Sequence, residues 1–277
     1  LVSRDYAPEL EVRVGGNLSA AVETHFDEYY VGERVAVSVD LVDSFGNEVL
    51  EVSRRGMSPE VLVSVEAPGR VEAMTATLDG DVEFYVEEPT RYNVTVVVDT
   101  GLISGLLRAS RVIEVHPPRR PDFNSTHRPL VEMFTATWCG PCRRAEPAIN
   151  HLYHMYRGSF TLVEFHVWDS GGGRLATPIG DSRADAYGVT GIPALVFDGR
   201  EVVRGAADVR RNLGRYLSAI ARAAARDVPE ADLSVAHRVV GDRLEANVTV
   251  RAGSEGLAGA RVELWVVEDR VIMGGRY

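Results

Sequence analysis

The chain of 277 residues has no lysine, no glutamine and only two cysteines. A single cysteine pair excludes a fold stapled by a disulfide framework. All 30 cationic residues are arginines, set against 40 carboxylates, for a formal net charge of −10. Phosphate backbones are held by clustered cations, and the scattered arginines form no such cluster, which excludes nucleic acid and disfavours an anionic membrane surface. No apolar run reaches the ~18 residues that cross a bilayer, so the chain carries no embedded membrane segment. No basic-then-apolar signal opens it either. It begins at Leu1, which reads as a processed or trimmed piece of a longer product.

What is present is ordinary for folded material: 45% apolar and 25% charged residues, at a length that favours two or three domains. Residues 1–116 alternate apolar and polar positions, as in Val35, Val37, Val39 and Leu41 and again in Tyr92, Val94, Val96 and Val98. Such short strands, broken by turns like Asp43-Ser44-Phe45-Gly46-Asn47, predict a β-sandwich. This stretch resembles bacterial immunoglobulin-like modules, and Tyr92 takes the place of a tyrosine-corner residue. The prolines between His116 and Pro121 end the pattern, because each removes an amide donor and restrains its predecessor. Residues 117–129 therefore read as a linker.

From Leu130 the period changes. A strand over Leu130–Thr135, a helix beginning at the cysteines, a strand over Phe160–Val167, a short helix, two short strands and a final helix predict an α/β domain over 130–227. The final helix is capped by Asp208 and carries Val209, Leu213, Tyr216, Leu217, Ile220 and Ala224 as its apolar stripe. Alternation returns in Leu244–Val250 and Val262–Val267, so residues 231–277 form a second β-rich region, too small to be a complete sandwich. Its exposed edge predicts a dimer, or completion by other strands.

The chemistry is concentrated in Trp138-Cys139-Gly140-Pro141-Cys142. Two thiols at this spacing close a small ring or hold half a metal site; a structural staple normally encloses a longer loop. A helix that starts at Cys139 aims free amides and its positive dipole end at that sulfur and favours the thiolate. Cysteines so placed titrate between about 3.5 and 7.5. Cys142, one turn further in, is the buried, resolving thiol.

This segment resembles thioredoxin. Trp138-Cys139-Gly140-Pro141-Cys142 matches the family's active-site pentapeptide, Pro147 lies where the family kinks its active-site helix, and Gly191-Ile192-Pro193 matches its cis-proline loop. The resemblance covers residues 128–227. It implies a thioredoxin-like domain, a cis Pro193, and an Ile192 backbone that pairs with an extended substrate peptide. The family's buried aspartate is replaced by Met133, with Glu132 on the opposite face by strand alternation. The family's lysine on the next strand is replaced by Glu164. Proton transfer from Cys142 then falls to Glu164 or to solvent, and an outward-facing strand carboxylate is the competing reading of Glu164. Only Asp122–Pro129 precede Leu130, so the family's opening strand and helix are largely missing, and Asp169-Ser170-Gly171-Gly172-Gly173-Arg174 is an insertion.

His151 and His154 fall on the expected solvated face of the active-site helix, opposite Ile149, Leu152, Tyr153 and Tyr156, and no metal site is expected. Four asparagines stand in glycosylation sequons, at Asn17, Asn93, Asn124 and Asn247. They point outside the cytoplasm, where an oxidised pair persists; plain strand sequence is the competing explanation. The sequence thus predicts an extracytoplasmic, secreted or surface-anchored thiol–disulfide oxidoreductase without a cofactor. Its partners are protein thiols or disulfides and a redox partner protein. The competing reading is a binding protein whose β-sandwich domains recognise a partner while the thioredoxin-like domain is non-catalytic.

Overall fold

The computed structural model describes residues 18–44, 60–76, 81–100, 106–120, 125, 127–168, 175–254, 256–269 and 271. The Phe45–Asn47 turn, Pro121, Asn17, Asn124 and the Asp169–Arg174 insertion lie outside the described residues. The chain divides into two units.

The first unit runs to Arg119 and also takes in Asn150–Met155. Its strands are β1 (Ser19–Thr24), β2 (Glu28–Tyr30), β3 (Arg34–Val42), β4 (Glu60–Ala67), β5 (Arg70–Ala76), β6 (Val82–Tyr85), β7 (Arg91–Asp99) and β8 (Leu107–His116). They form a three-stranded sheet in the order β1-β3-β6 and a five-stranded sheet in the order β2-β8-β7-β4-β5. The valine alternation causes this arrangement. Val35, Val37 and Val39 on β3, and Val94, Val96 and Val98 on β7, are buried while the residues between them are not. β-Branched side chains suit a pleated surface with one apolar face. Tyr92 is buried, and its hydroxyl accepts from the amides of Glu87 and Glu88, at 3.2 Å each.

His151 departs from expectation. It is 5% exposed, stacks on Phe26 with ring centroids 4.0 Å apart, and its Nδ1 lies 2.9 Å from Oε1 of Glu33. The predicted solvated face is therefore covered at this position by Phe26, Tyr29 and Tyr30. Those residues are more than a hundred positions away in sequence, beyond the reach of helical periodicity. Burial pushes the Glu33 carboxyl above its ordinary value, against the pull of His151.

The second unit contains β9 (Leu130–Thr135), the start of α1 (Cys142–Met155), β10 (Thr161–His166), α2 (Pro178–Ala186), β11 (Ala194–Phe197), β12 (Glu201–Arg204) and α3 (Val209–Ala224). Its sheet has the order β10-β9-β11-β12, with β9 and β10 parallel and β11 antiparallel to both β9 and β12. Parallel neighbours need a crossover, which α1 supplies. The β11–β12 hairpin turns on Asp198-Gly199, with φ of 49° and 64°, the left-handed pair that a tight hairpin requires. Asp198 also accepts from the Leu130 amide at 2.8 Å and fixes where β9 begins.

Asp208 caps α3 by accepting from the Arg211 amide at 2.9 Å. The buried stripe of α3 centres on Asn212, Tyr216, Ala219, Ile220, Ala223 and Ala224, while Val209, Leu213 and Leu217 are half-buried.

The unit continues into β13 (Ala231–Val240) and β14 (Arg243–Ala252), an antiparallel pair exposed along both strands. The strand expected over Val262–Val267 does not form. Instead, alternate residues of this stretch meet other elements of the unit: Glu263 pairs with Arg183 at 3.1 Å and Trp265 packs edge-on against Phe165. Val262, Leu264 and Val266 are left exposed.

Candidate active site

Cys139 and Cys142 are joined by a disulfide with an S–S distance of 2.07 Å. The helix begins at Cys142, three residues later than the sequence pattern predicts, because Gly140 and Pro141 occupy a turn in which the Cys142 amide bonds back to the Cys139 carbonyl. The consequence for Cys139 is unchanged. It sits at the open end of the helix, and the Cys142 amide donates to its sulfur at 3.2 Å. Cys139 is 4% exposed and Cys142 1%. Trp138 beside them is 60% exposed, and Gly140 and Pro141 are exposed.

Ala136, Cys139 and Cys142 form one apolar cluster, with Ile192 packed against it. The Ile192–Pro193 bond is cis and Pro193 is buried. The sheet thus brings the β11 entry loop, expected from sequence to bind substrate, against the cysteines. A Cβ placed at Gly191, just before this loop's cis bond, would meet nothing within 4 Å among the described residues. Trp168 follows β10 with φ 57°, in the left-handed region that bulky side chains rarely adopt. Its amide is held there by Asp181 Oδ1 at 3.0 Å.

Strand alternation on β9 separates two environments. Met133 is fully buried on one face. Glu132, fully buried on the other, accepts from Arg183 Nε at 2.7 Å and from the Tyr187 hydroxyl at 2.6 Å. Burial, and then the bond to Glu132, push the Tyr187 hydroxyl above its ordinary range. Glu164 is in register with Met133 on β10, yet it is exposed at the edge of the sheet.

On the helix that carries Cys142, sequence reasoning missed a buried acid. Glu146, on α1, accepts from the Thr135 hydroxyl at the end of β9. The signal was there: a glutamate flanked by Ala145 and Ala148–Ile149 on the helix's apolar side, four residues after Cys142. Among the described residues, no group of histidine, cysteine and carboxylate side chains is placed to hold a metal.

Residues 122–217 match the family described as Thioredoxin-like domain. Chloroplastic thioredoxin M-type from Zea mays is 35% identical over 74 residues, which are 26% of this chain and 38% of the relative. Thioredoxin from Synechocystis is 29% identical over 85 residues, covering 30% of this chain and 70% of the relative. Among solved structures, the CARDB domain of a Pyrococcus furiosus protein, crystallised with di-metal ions, aligns at 14% identity and a TM-score of 0.23, over 36% of this chain and 87% of that one. The chain thus spans little more than a third of the maize thioredoxin and about two thirds of the cyanobacterial one. With the pentapeptide loop at the head of α1 and a four-stranded sheet behind it, the centre of this chain is a thioredoxin-like domain, with β-rich regions before and after it.

Proposed function

We propose that the protein is a thiol–disulfide oxidoreductase acting on protein disulfides or dithiols through a mixed disulfide. One observation carries this reading: the Cys139–Cys142 disulfide lies at the start of a helix, with the Cys142 amide directed at the Cys139 sulfur. Cys139 attacks the substrate disulfide, Cys142 displaces the substrate from Cys139, and the reverse sequence oxidises a dithiol. Trp138, Gly140 and Pro141 frame the attack, and the backbone of Ile192 next to Pro193 pairs with the extended substrate chain. A separate redox partner protein restores the cysteine pair, and no cofactor takes part.

The compartment proposed is extracytoplasmic, secreted or at the cell surface. It is supported by the sequon at Asn247, exposed on β14, and by a cysteine pair suited to an oxidising environment. The first unit is read as an immunoglobulin-like domain, supported by its two sheets and the Tyr92 hydroxyl bound to backbone amides. A second copy of the chain is proposed to pair with the edges of β13 and β14 that no other strand covers among the described residues.

Insulin reduction and dithiol oxidation by wild type and Cys139→Ser test the reading. Turnover in wild type that is lost in the variant is expected. Equal, negligible turnover in both would replace this reading with that of a binding protein, which the exposed apolar residues Leu233, Val235, Val239, Leu244 and Val250 of β13 and β14 favour.

A further inference from the structure

Release of a mixed disulfide requires Cys142 to attack as a thiolate, yet Cys142 is buried, and burial favours the neutral thiol. Its proton therefore needs an acceptor nearby. Two independent placements point to Glu146. On α1 it lies four residues after Cys142, which puts the two Cβ atoms about 6 Å apart on one face of the helix. Helical side chains lean towards the N-terminus, so its carboxylate extends over the turn that holds Cys142. From the sheet, Thr135 donates to Glu146, and the next residue, Ala136, packs against both cysteines. The carboxylate is thus confined between the end of β9 and the first turn of α1.

We propose that Glu146 is the proton acceptor for Cys142 in the resolving step. The proposal rests on the oxidoreductase reading above. The Cys142 proton passes to the Glu146 carboxylate as the Cys142 sulfur attacks Cys139. The Cys139–Cys142 bond forms and the bond from Cys139 to the substrate sulfur breaks. The electron pair leaves on that sulfur, which takes a proton from Glu146 or from solvent. The cysteine pair is oxidised by two electrons and the substrate disulfide is reduced.

Thr135 faces Glu146 from β9. The other charged and titratable groups of the elements packed on this side are Cys139 just before α1, Cys142 and the exposed Arg143 and Arg144 on α1, Tyr216 on α3, and, on β10, the exposed Glu164 together with His166, which is in register with Thr135. Asn212 of α3 is engaged with the Arg144 carbonyl at 2.9 Å.

The test uses the reduced full chain and a chromogenic aryl disulfide, which releases one aryl thiolate when Cys139 attacks and a second when Cys142 resolves. Glu146→Gln keeps the size of the side chain and an acceptor for Thr135. In this variant the second release is expected to slow at least about tenfold at neutral pH, with the first within about twofold of wild type. The second rate should then climb with pH and converge on wild type in alkaline solution. Glu164→Gln should follow the wild-type profile. An unchanged or faster second release in Glu146→Gln, or a slowed one only in Glu164→Gln, overturns the proposal. Should Glu146→Gln not fold, Glu146→Asp decides, since a displaced pH profile supports the acceptor role and a superimposable one overturns it. Absence of any second release in wild type overturns the oxidoreductase reading, and the proposal with it.

Discussion

The amide of Cys142 donates to the sulfur of Cys139 at 3.2 Å, so the two thiols of the reduced pair are not equivalent. A hydrogen bond from a helix-end amide stabilises negative charge on the outer sulfur and gives nothing comparable to the inner one.

Alkylation of the reduced chain at neutral pH should therefore label Cys139 well ahead of Cys142, by at least about tenfold in rate, because the thiolate is the nucleophile. Peptide mapping after brief exposure to iodoacetamide measures the ratio. Equal labelling would show that the amide does not discriminate between the sulfurs, and would remove the physical basis for assigning the attacking role to Cys139.

Tyr216 on α3 presents a different imbalance. Its side chain is fully buried, and its hydroxyl has no hydrogen-bond partner among the described residues. Burial pushes that hydroxyl up to about 12. A buried hydroxyl without a partner costs about 1–3 kcal/mol, and an apolar replacement of the same shape avoids that cost. Tyr216→Phe is expected to leave the fold intact and to stabilise the thioredoxin-like domain by about 1 kcal/mol, read from urea unfolding. Destabilisation of similar size would mean that the hydroxyl has a partner in solution.

What was legible in the sequence was local. The Asp208 cap, the Tyr92 bond to amides four and five residues away, and the cysteine turn each depend on residues within about one turn of chain. Valine alternation was legible for the same reason, since period two needs only near neighbours. Long-range burial was not. His151 lies 118 residues from Glu33, and Arg183 lies 51 from Glu132. Nothing in the periodicity of α1 or α2 announces either partner. The stretch Val262–Val267 has the right period for a strand, but a strand also needs a neighbour to pair with. There Glu263 and Trp265 engage Arg183 and Phe165 through their side chains.

Glu201 on β12 and Arg222 on α3 form a two-point pair, with N···O distances of 2.5 and 3.2 Å. The guanidinium holds the Glu201 carboxyl below its ordinary value of 4.5. A carboxyl depressed in the folded state binds fewer protons there than in the unfolded state. Its contribution is therefore present in full above pH 4.5 and is lost as the pH falls through the folded value beneath it. The pair is partly exposed, so the contribution is at most about 1 kcal/mol. Glu201→Gln should lower stability by that amount at neutral pH and by nothing measurable once both states are protonated. A pH-independent difference would mean that the lost stability came from packing and not from charge.

Glu132 and Arg183 form a charge pair whose carboxylate is fully buried. Glu132 is fully inside, and its charge is held by one guanidinium nitrogen at 2.7 Å and one phenol. The same guanidinium lies 4.9 Å from the ring centroids of both Tyr187 and Trp265 and bonds Glu263. Removing the cation leaves a buried carboxylate without its counter-charge, which costs about 3–5 kcal/mol, whereas removing both charges together can be neutral. Arg183→Met should therefore accelerate hydrogen exchange of the β9 amides strongly, and Glu132→Leu combined with Arg183→Met should restore most of their protection. The interaction with Trp265 supplies a separate arm. Trp265→Ala removes a cation–π contact of about 0.5–2 kcal/mol and leaves the Glu132 pair intact, so its effect on β9 should be much smaller than that of Arg183→Met. If the single Arg183 variant and the double variant exchange equally fast, the guanidinium contributes through its packing on the two aromatic rings, and charge compensation of Glu132 is not what holds this face of the sheet.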